Sequence, residues 1–249
     1  MRLETKKAIV TGAGGGIGRA VAEALAGEGA AVLCADINEA RVNKTVSFIS
    51  EAGGMAKAAV GDMSREAHAK DLVAAAKSEW GGLTSIVCSH IRDVPYLPVT
   101  ELPLEEWQSS LDVNLTGVFL LLKNAIPVMT DGGGGSITLM ASQLAFAPKP
   151  GRAWYVAQKG ALISLVKALA VDHAKHKIRA NTISPGPTAD HRFFSQWPSE
   201  QEAHANASTL FGRLGDPSEM AAGAVFLASD EASFVTGTDL LIDGGYTAV

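Results

Sequence analysis

The chain has 249 residues, of which 47% are hydrophobic and 19% are charged, proportions that exclude an intrinsically disordered protein. Its net charge of -5 excludes a general attraction to nucleic acid or to an anionic membrane surface. Apolar runs such as Val118 to Leu122 are far shorter than a membrane span, and no signal peptide precedes the first strand-like segment, so we expect one cytoplasmic domain over residues 1–249.

Short β-prone runs alternate with longer helical patterns along the chain, which is typical of a parallel sheet with helices on both faces. We therefore predict an α/β fold, a single Rossmann-type doubly wound parallel sheet of seven strands. The predicted strands are Lys7 to Thr11, Ala31 to Ala35, Ala56 to Val60, Ser85 to Ser89, Ser136 to Met140, Arg179 to Ser184 and Asp239 to Ile242. The predicted helices begin near Gly16, Glu39, Arg65, Leu104, Trp154 and Pro217.

A glycine-rich turn, Thr11 to Gly18, follows the first predicted strand and opens the first predicted helix. Glycine removes side chains where the backbone must approach a diphosphate closely, and the N–H groups at the start of a helix favour an anion. We predict cofactor contacts here at Gly12, Gly14, Gly15, Gly16, Ile17 and Gly18.

Asp36 ends the second predicted strand, where a carboxylate would accept hydrogen bonds from the adenosine ribose and repel a 2′-phosphate. Ile37 follows it, and no arginine stands immediately beside it. These residues favour NAD over NADP, although Asp36 would also suit a turn or helix cap before Asn38.

Tyr155 and Lys159 stand four residues apart in the Trp154 helix, so their side chains project from the same face. A free tyrosine has a pKa near ~10, and lowering it by ~3 units requires roughly 4 kcal/mol of preferential stabilisation of the phenolate. A neighbouring ammonium group helps to supply that stabilisation. The pair therefore indicates an acid/base device for a hydroxyl group.

Together these features resemble the short-chain dehydrogenase/reductase family over nearly the whole chain. The matching residues are the Thr11 to Gly18 turn, Asp62 as an adenine-contact acid, Asn114, Ser142, Tyr155-x-x-x-Lys159, Pro185-Gly186 and Ile242 to Gly245. The resemblance implies that Tyr155 exchanges a proton with the substrate oxygen, Ser142 hydrogen-bonds that oxygen and Lys159 lowers the tyrosine pKa. It also implies that Asn114 positions a water, and that cofactor contacts extend to Asp62, Met63, Ser89, Tyr155, Lys159, Pro185, Gly186 and Thr188.

The chain departs from the family pattern in three places. Cys88-Ser89-His90-Ile91 replaces the common Asn-Asn-Ala-Gly, Asp190 replaces a threonine, and Gln143 begins an unusual segment after Ser142. Either Thr188 or backbone groups would then bind the nicotinamide carboxamide in place of that threonine.

The segments that border the substrate in this family carry several cations in this chain. They are His90, Arg92, Lys149, Arg152, His191 and Arg192. Cations that converge on a cleft would suit an anionic substrate, and we predict substrate contacts at Arg92, Gln143, Arg152 and Arg192, unless these side chains simply face water. A substrate loop is expected around residues 187–212, where Phe193, Phe194 and Trp197 either close over the substrate or pack on their own domain.

We therefore expect an NAD-dependent oxidoreductase that interconverts a secondary alcohol and a ketone on a small polar metabolite, either neutral or anionic, such as a hydroxy acid, sugar or sugar acid. The alternatives are an NADPH-dependent ketone reductase, such as a 3-oxoacyl-thioester reductase, and a non-catalytic dinucleotide-binding sensor or scaffold. By resemblance we expect a homotetramer or dimer. No metal site is predicted, and Cys34 and Cys88 fall in predicted strands, which favours buried free thiols over a disulfide.

Overall fold

The computed structural model describes all 249 residues and contains one seven-stranded sheet. All the strands are parallel, in the order β3-β2-β1-β4-β5-β6-β7. The strands are β1 Lys7–Thr11, β2 Ala31–Asp36, β3 Met55–Val60, β4 Ser85–Cys88, β5 Gly135–Met140, β6 Ile178–Pro185 and β7 Asp239–Ile242. The predicted doubly wound α/β fold is thus confirmed, and its topological switch point lies between β1 and β4, where such sheets open a ligand-binding crevice.

Helices cover both faces of the sheet, because apolar side chains of the strands point to both faces. In β1, Val10 packs with the helices of one face, whereas Ile9 packs with those of the other. Successive strand side chains point to opposite sides, so a strand of apolar residues needs a cover on each. The longer helices are α1 Gly16–Gly27, α2 Glu39–Glu51, α3 Glu66–Trp80, α4 Leu104–Leu111, α5 Gly117–Asp131 and α6 Ala153–His173; α7 His191–Phe194, α8 Glu200–Ala205 and α9 Pro217–Ala228 follow.

The predicted elements lie within one residue of the observed ones at most boundaries, with two differences. The helix that begins at Leu104 passes through a π-helical turn, Asp112–Thr116, before it continues as α5. The segment 187–212 is not a plain loop, because it carries the short helices α7 and α8. Asp190 and Ser199 start these helices by accepting backbone hydrogen bonds, which are local signals that apolar periodicity does not report.

The combined helix Leu104–Asp131 is long and apolar enough to cross a membrane by length and composition alone. In the structure, Leu121, Leu122 and Ala125 on its inner side are buried against the sheet. The helix is therefore part of the core, as core helices of comparable composition often are.

Candidate active site

A cavity of about 800 Å³ opens at the carboxyl ends of the strands. Its lining comes from the segments that follow β1 through β6, so it collects residues from the whole length of the chain. Every predicted catalytic, cofactor and substrate residue lines it except Asn114, whose chain neighbour Val113 is part of the lining. The predicted residues therefore surround one cavity.

Tyr155 and Lys159 lie on the first turns of α6, and both are almost fully buried. The Lys159 ammonium lies 5.7 Å from the centre of the Tyr155 ring, and it donates a hydrogen bond of 2.6 Å to the carbonyl of Met140 at the end of β5. This bond fixes the ammonium between the sheet and the phenol. The predicted pairing on one helix face is confirmed.

Burial alone would raise the pKa of Tyr155, because it penalises the phenolate. The positive charges of Arg192 and Lys159 outweigh that effect, so the pKa of Tyr155 lies below its ordinary value. For Lys159, burial is the largest influence and lowers the pKa of the ammonium, although the phenol opposes that change. Both pKa values therefore lie below those of free side chains, and a lowered pKa makes the tyrosine better suited to proton exchange.

Ser142 follows β5 and is buried in the wall of the same cavity. Its hydroxyl donates to the Gln143 side-chain oxygen at 2.9 Å and accepts from the backbone N–H of Leu144 at 3.2 Å. The backbone bond holds the oxygen in place, while the donated bond to Gln143 can be exchanged for one to a substrate. Gln143 is itself buried, so it belongs to the site rather than to the surface.

Asn114 lies in the π-helical turn, and its side chain is fixed by the segment after β4. The amide oxygen accepts the N–H of Arg92 at 2.7 Å, and the amide nitrogen donates to the Arg92 carbonyl at 3.1 Å and to Gln158 at 2.8 Å. Gln158 in turn donates to Ser110 at 2.8 Å. These hydrogen bonds hold the asparagine side chain in one orientation. π-Helical turns commonly occur at functional sites, as this one does.

His90 accounts for the departure from the family pattern after β4. Gly117 N–H bonds to Asp112 across the π-helical turn, so the carbonyl of Val113 lacks its usual helical partner. His90 Nε2 donates to that carbonyl at 3.0 Å, and Nδ1 therefore accepts the hydroxyl hydrogen of Thr11 at 2.6 Å. Burial lowers the pKa of His90 to about 4, which keeps this imidazole neutral and suited to one donor and one acceptor.

Close packing within the protein requires glycine at two positions of the glycine turn. A Cβ on Gly12, whose φ is +70°, would lie 2.7 Å from the backbone nitrogen of His90, and one on Gly18 would clash with the Gly12 carbonyl. The first helix therefore starts tight against β1 and directs its N-terminal N–H groups into the cavity.

Asp36 lies beside Gly14 at one end of the cavity, which we call the adenosine end because Asp36 is the predicted partner of the adenosine ribose. One carboxylate oxygen accepts the N–H of Gly14 at 2.9 Å and the other that of Asn38 at 2.9 Å. Arg41 lines the same end of the cavity, one helical turn into α2. Asp62, after β3, accepts the Ser64 N–H at 2.9 Å; burial would raise the pKa of this carboxyl, but the hydrogen bonds from Ser64 hold it below its usual value.

Thr188 is buried beside the Pro185-Gly186 segment, and its hydroxyl donates to the Gly186 carbonyl at 3.0 Å. Asp190, at the place of the family's threonine, accepts the Phe193 N–H at 2.8 Å and so caps α7. A Cβ on Gly16 would lie 2.7 Å from the Asp190 carboxylate, so this segment closes over the glycine turn.

The substrate end of the cavity is built from side chains that bond to one another. Arg192 is ion-paired with Asp93 and donates to the hydroxyl of Tyr96 at 2.8 Å. Arg152 lies 3.3 Å above the centre of the Tyr96 ring and donates to Gln196 at 2.8 Å. Tyr96 stacks in turn on the buried Trp154, at 5.6 Å between ring centres. Arg92 faces the rim, where Nε donates to Ser109.

A family model described as enoyl-(acyl carrier protein) reductase matches residues 12–247. The 2,5-dichloro-2,5-cyclohexadiene-1,4-diol dehydrogenase of Sphingobium indicum is 38% identical over 99% of this chain and 99% of its own length. The chain belongs to the short-chain dehydrogenase/reductase family. It is therefore an oxidoreductase that acts on CH–OH groups, and the predicted family membership and enzyme class are confirmed.

Two further relatives of this short-chain dehydrogenase carry substrate information in their names. The cis-4-hydroxycyclohexanecarboxylate dehydrogenase of Sinomonas cyclohexanicum is 36% identical over 97% of this chain and 96% of its own. A 7α-hydroxysteroid dehydrogenase structure with NADH and 7-oxo glycochenodeoxycholic acid superposes with a TM-score of 0.92 at 33% identity, covering 98% of this chain and 95% of that one.

Sequence reasoning missed several residues of this dehydrogenase that contact the site. Gln158 supports Asn114, Arg41 lies beside the adenosine end, and Asp93 and Tyr96 hold Arg192. Gln158 left a signal, since it is a polar residue between Tyr155 and Lys159 in a helix that is otherwise rich in apolar residues. The others left none, because their partners are distant in the sequence.

Proposed function

We propose that this short-chain dehydrogenase uses NAD to interconvert a secondary alcohol and a ketone on a small polar, anionic metabolite of the hydroxy acid, sugar or sugar-acid type. The observation that carries the proposal is the convergence of Tyr155, Lys159 and Ser142 with Asp36 on one continuous cavity. We further propose a cytoplasmic homotetramer or dimer.

The residues present fit a nicotinamide dinucleotide. The N-terminus of α1 offers N–H groups and a positive dipole end to a diphosphate, and Asp36 offers a carboxylate to the adenosine ribose. When bound, the nicotinamide supplies a hydride acceptor or donor. Asp36 supports NAD, because two backbone N–H groups fix its carboxylate at the adenosine end, where it would repel a 2′-phosphate. Arg41 is the observation that favours the runner-up, an NADP-dependent ketone reductase, because a guanidinium beside Asp36 would suit a 2′-phosphate.

The chain's own residues account for the proton. Tyr155 accepts it from the substrate hydroxyl during oxidation and returns it during reduction, with its phenolate stabilised by the neighbouring positive charges. Ser142 turns its hydroxyl hydrogen from Gln143 to the substrate oxygen. Asn114, in the π-helical turn, holds the backbone at Arg92 in position through its side-chain amide. Lys159 holds its charge between the Met140 carbonyl and the phenol.

Arg152 supports an anionic substrate most directly. It has no carboxylate partner in the protein, and its guanidinium is held against the Tyr96 ring. A cation already fixed in place loses little entropy when it binds a carboxylate. The named substrates of the Sinomonas relative and the steroid dehydrogenase structure are likewise acids. Arg92 and Gln143 remain proposed substrate contacts, whereas a substrate bound to Arg192 would have to compete with Asp93.

Two measurements test the proposal. NAD and NADP are titrated by tryptophan fluorescence, and secondary alcohols, each offered as a carboxylate and as its primary amide, are then screened by absorbance of the reduced cofactor. We expect tighter NAD binding and turnover of the acids. Tighter NADP binding would favour the ketone reductase, and NAD binding without turnover over a broad panel would favour the non-catalytic sensor.

The Arg152→Ala variant tests the anion site. We expect KM for the acid to rise by roughly 10-fold or more, since a charge-assisted pair is worth about 1.5–3 kcal/mol, while KM for the matched amide stays nearly constant. Arg152→Lys, which keeps the charge, should recover part of the loss. Equal changes in KM for acid and amide would contradict this role.

A further inference from the structure

Arg192 lies unexpectedly close to the phenol that exchanges the proton. Its guanidinium carbon is 5.0 Å from the centre of the Tyr155 ring, closer than the Lys159 ammonium at 5.7 Å. Arg192 belongs to α7, in the segment after β6, and so reaches Tyr155 from a different element than Lys159, which lies on α6 with Tyr155. Tyr155 thus has two positive charges beside it.

Asp93 fixes the orientation of this guanidinium. Nε donates to both carboxylate oxygens, at 2.9 and 2.7 Å, and Nη2 donates to one of them at 2.7 Å and to the Tyr96 hydroxyl at 2.8 Å. Neither Asp93 nor Tyr96 accepts a hydrogen bond from the remaining nitrogen, Nη1. Because Asp93 takes the edge formed by Nε and Nη2, Nη1 is at the opposite corner of the planar group.

Two other roles for Arg192, holding its loop and binding a substrate anion, do not account for this geometry. A strut that only held the loop would need the ion pair with Asp93, but not a position over the Tyr155 ring. An arginine that mainly binds a substrate anion should have no carboxylate already bound to two of its nitrogens. Arg152 meets this condition, whereas Arg192 is paired with Asp93. Burial of the phenol makes a nearby fixed charge more effective than it would be in water.

The ionisable groups that face Tyr155 come from three elements: Lys159 on its own helix, Arg192 on α7, and Asp93 and Tyr96 after β4. We propose that Arg192 is a positioning residue that stabilises the Tyr155 phenolate as a second cation, with Asp93 and Tyr96 holding it in place. This proposal rests on the proposed role of Tyr155 as the proton acceptor. The direction of the Tyr155 pKa agrees with it, since Arg192 is the largest influence that lowers the value.

The experiment is a spectrophotometric titration of tyrosinate in the cofactor-free protein, without any substrate. The chain has only three tyrosines, and Arg192 also contacts Tyr96. Each variant is therefore compared with the same variant carrying Tyr155→Phe in addition, and the difference isolates Tyr155. We expect Arg192→Gln to raise its midpoint by at least about 1 pH unit, and Arg192→Lys to restore most of that shift. Lys175→Gln makes the same charge change on an exposed residue at the far end of α6 and should leave the midpoint unchanged.

The outcomes separate charge from structure. An unchanged midpoint in Arg192→Gln would overturn the proposal, and so would an equal rise in Arg192→Gln and Arg192→Lys, because a loop strut would be lost in both. Far-ultraviolet circular dichroism verifies that each variant is folded. Since the readout needs neither cofactor nor substrate, the role of Arg192 can be upheld even if the NAD and substrate assignments fail.

Discussion

The catalytic wall of the cavity and its substrate end are held together by different kinds of bonds. On the catalytic wall, Lys159, Asn114 and Ser142 each bond to backbone atoms that the sheet edge or its adjoining turns fix in place. At the substrate end, Arg192 and Arg152 bond mainly to side chains, which are Asp93, Tyr96 and Gln196 in this chain.

This difference teaches how one fold can keep its chemistry while its substrate changes. A side chain anchored to backbone keeps its position under many substitutions nearby, because almost any residue offers the same N–H and C=O groups. A side chain anchored to another side chain depends on both residue types. The substrate end is therefore free to be rebuilt by a few substitutions, and the catalytic wall is not.

The largest effect should come from the catalytic wall. Tyr155→Phe removes the hydroxyl that exchanges the proton, so we expect kcat to fall by about 10²- to 10⁴-fold, the typical contribution of general acid–base catalysis, while NAD binding changes little. Tyr96→Phe is the matched change at the substrate end and should cost less than about 10-fold. Steady-state kinetics compare the two variants, and similar losses in kcat would erase the distinction between the two regions.

The adenosine end provides the second test. Asp36→Ser removes the carboxylate that opposes a 2′-phosphate and leaves Arg41 in the cavity, so we expect the ratio of NADP to NAD affinity to rise on the order of 100-fold, about 2.7 kcal/mol. Fluorescence titration with both cofactors measures it. In the double variant with Arg41→Ala the gain should largely disappear; if it persists, Arg41 does not contact that phosphate.

The smallest effect, on stability, concerns His90, which bonds to the backbone of the catalytic wall. His90→Ala leaves the half-buried Val113 carbonyl and the buried Thr11 hydroxyl without their partner, so we expect the free energy of unfolding to fall by about 1–3 kcal/mol. Urea denaturation measures the loss. His191→Ala, an exposed histidine of the same cavity, should change it by less than about 0.5 kcal/mol.

The pH dependence of that stability has a defined sign. The pKa of His90 is about 4 in the folded protein and about 6.5 in an unfolded chain, so the unfolded chain binds more protons between these values. Above about pH 6.5, His90 is neutral in both states and has no pH-dependent effect on stability. The free energy of unfolding decreases as the pH falls from about 6.5 towards 4, because the unfolded chain is protonated first. His90→Gln should flatten this part of the curve, and an unchanged slope would mean that His90 is not held neutral.

Much of the site could be predicted because its spacing is local. The pairing of Tyr155 with Lys159 needs only one helix, and the glycine turn needs only one strand followed by one helix. The partners of His90 could not be predicted, since Thr11 lies 79 residues away and Val113 is freed only by the π-helical turn. That turn has no apolar period that distinguishes it from the α-helix on either side.

The sequence by itself determined the fold class, the family and the strand ends at which the candidate catalytic residues lie. It did so because alternating periodicity and short-range spacing specify elements and their faces. Only the tertiary structure decided what each charge does. Asp93 and Arg192 are 99 residues apart. They meet because all the strands are parallel, so the segments after β4 and β6 reach the same edge of the sheet although β5 lies between these strands. Whether an arginine grips a substrate or acts on a tyrosine depends on which side chains are already within its reach, and the chain order does not contain that information.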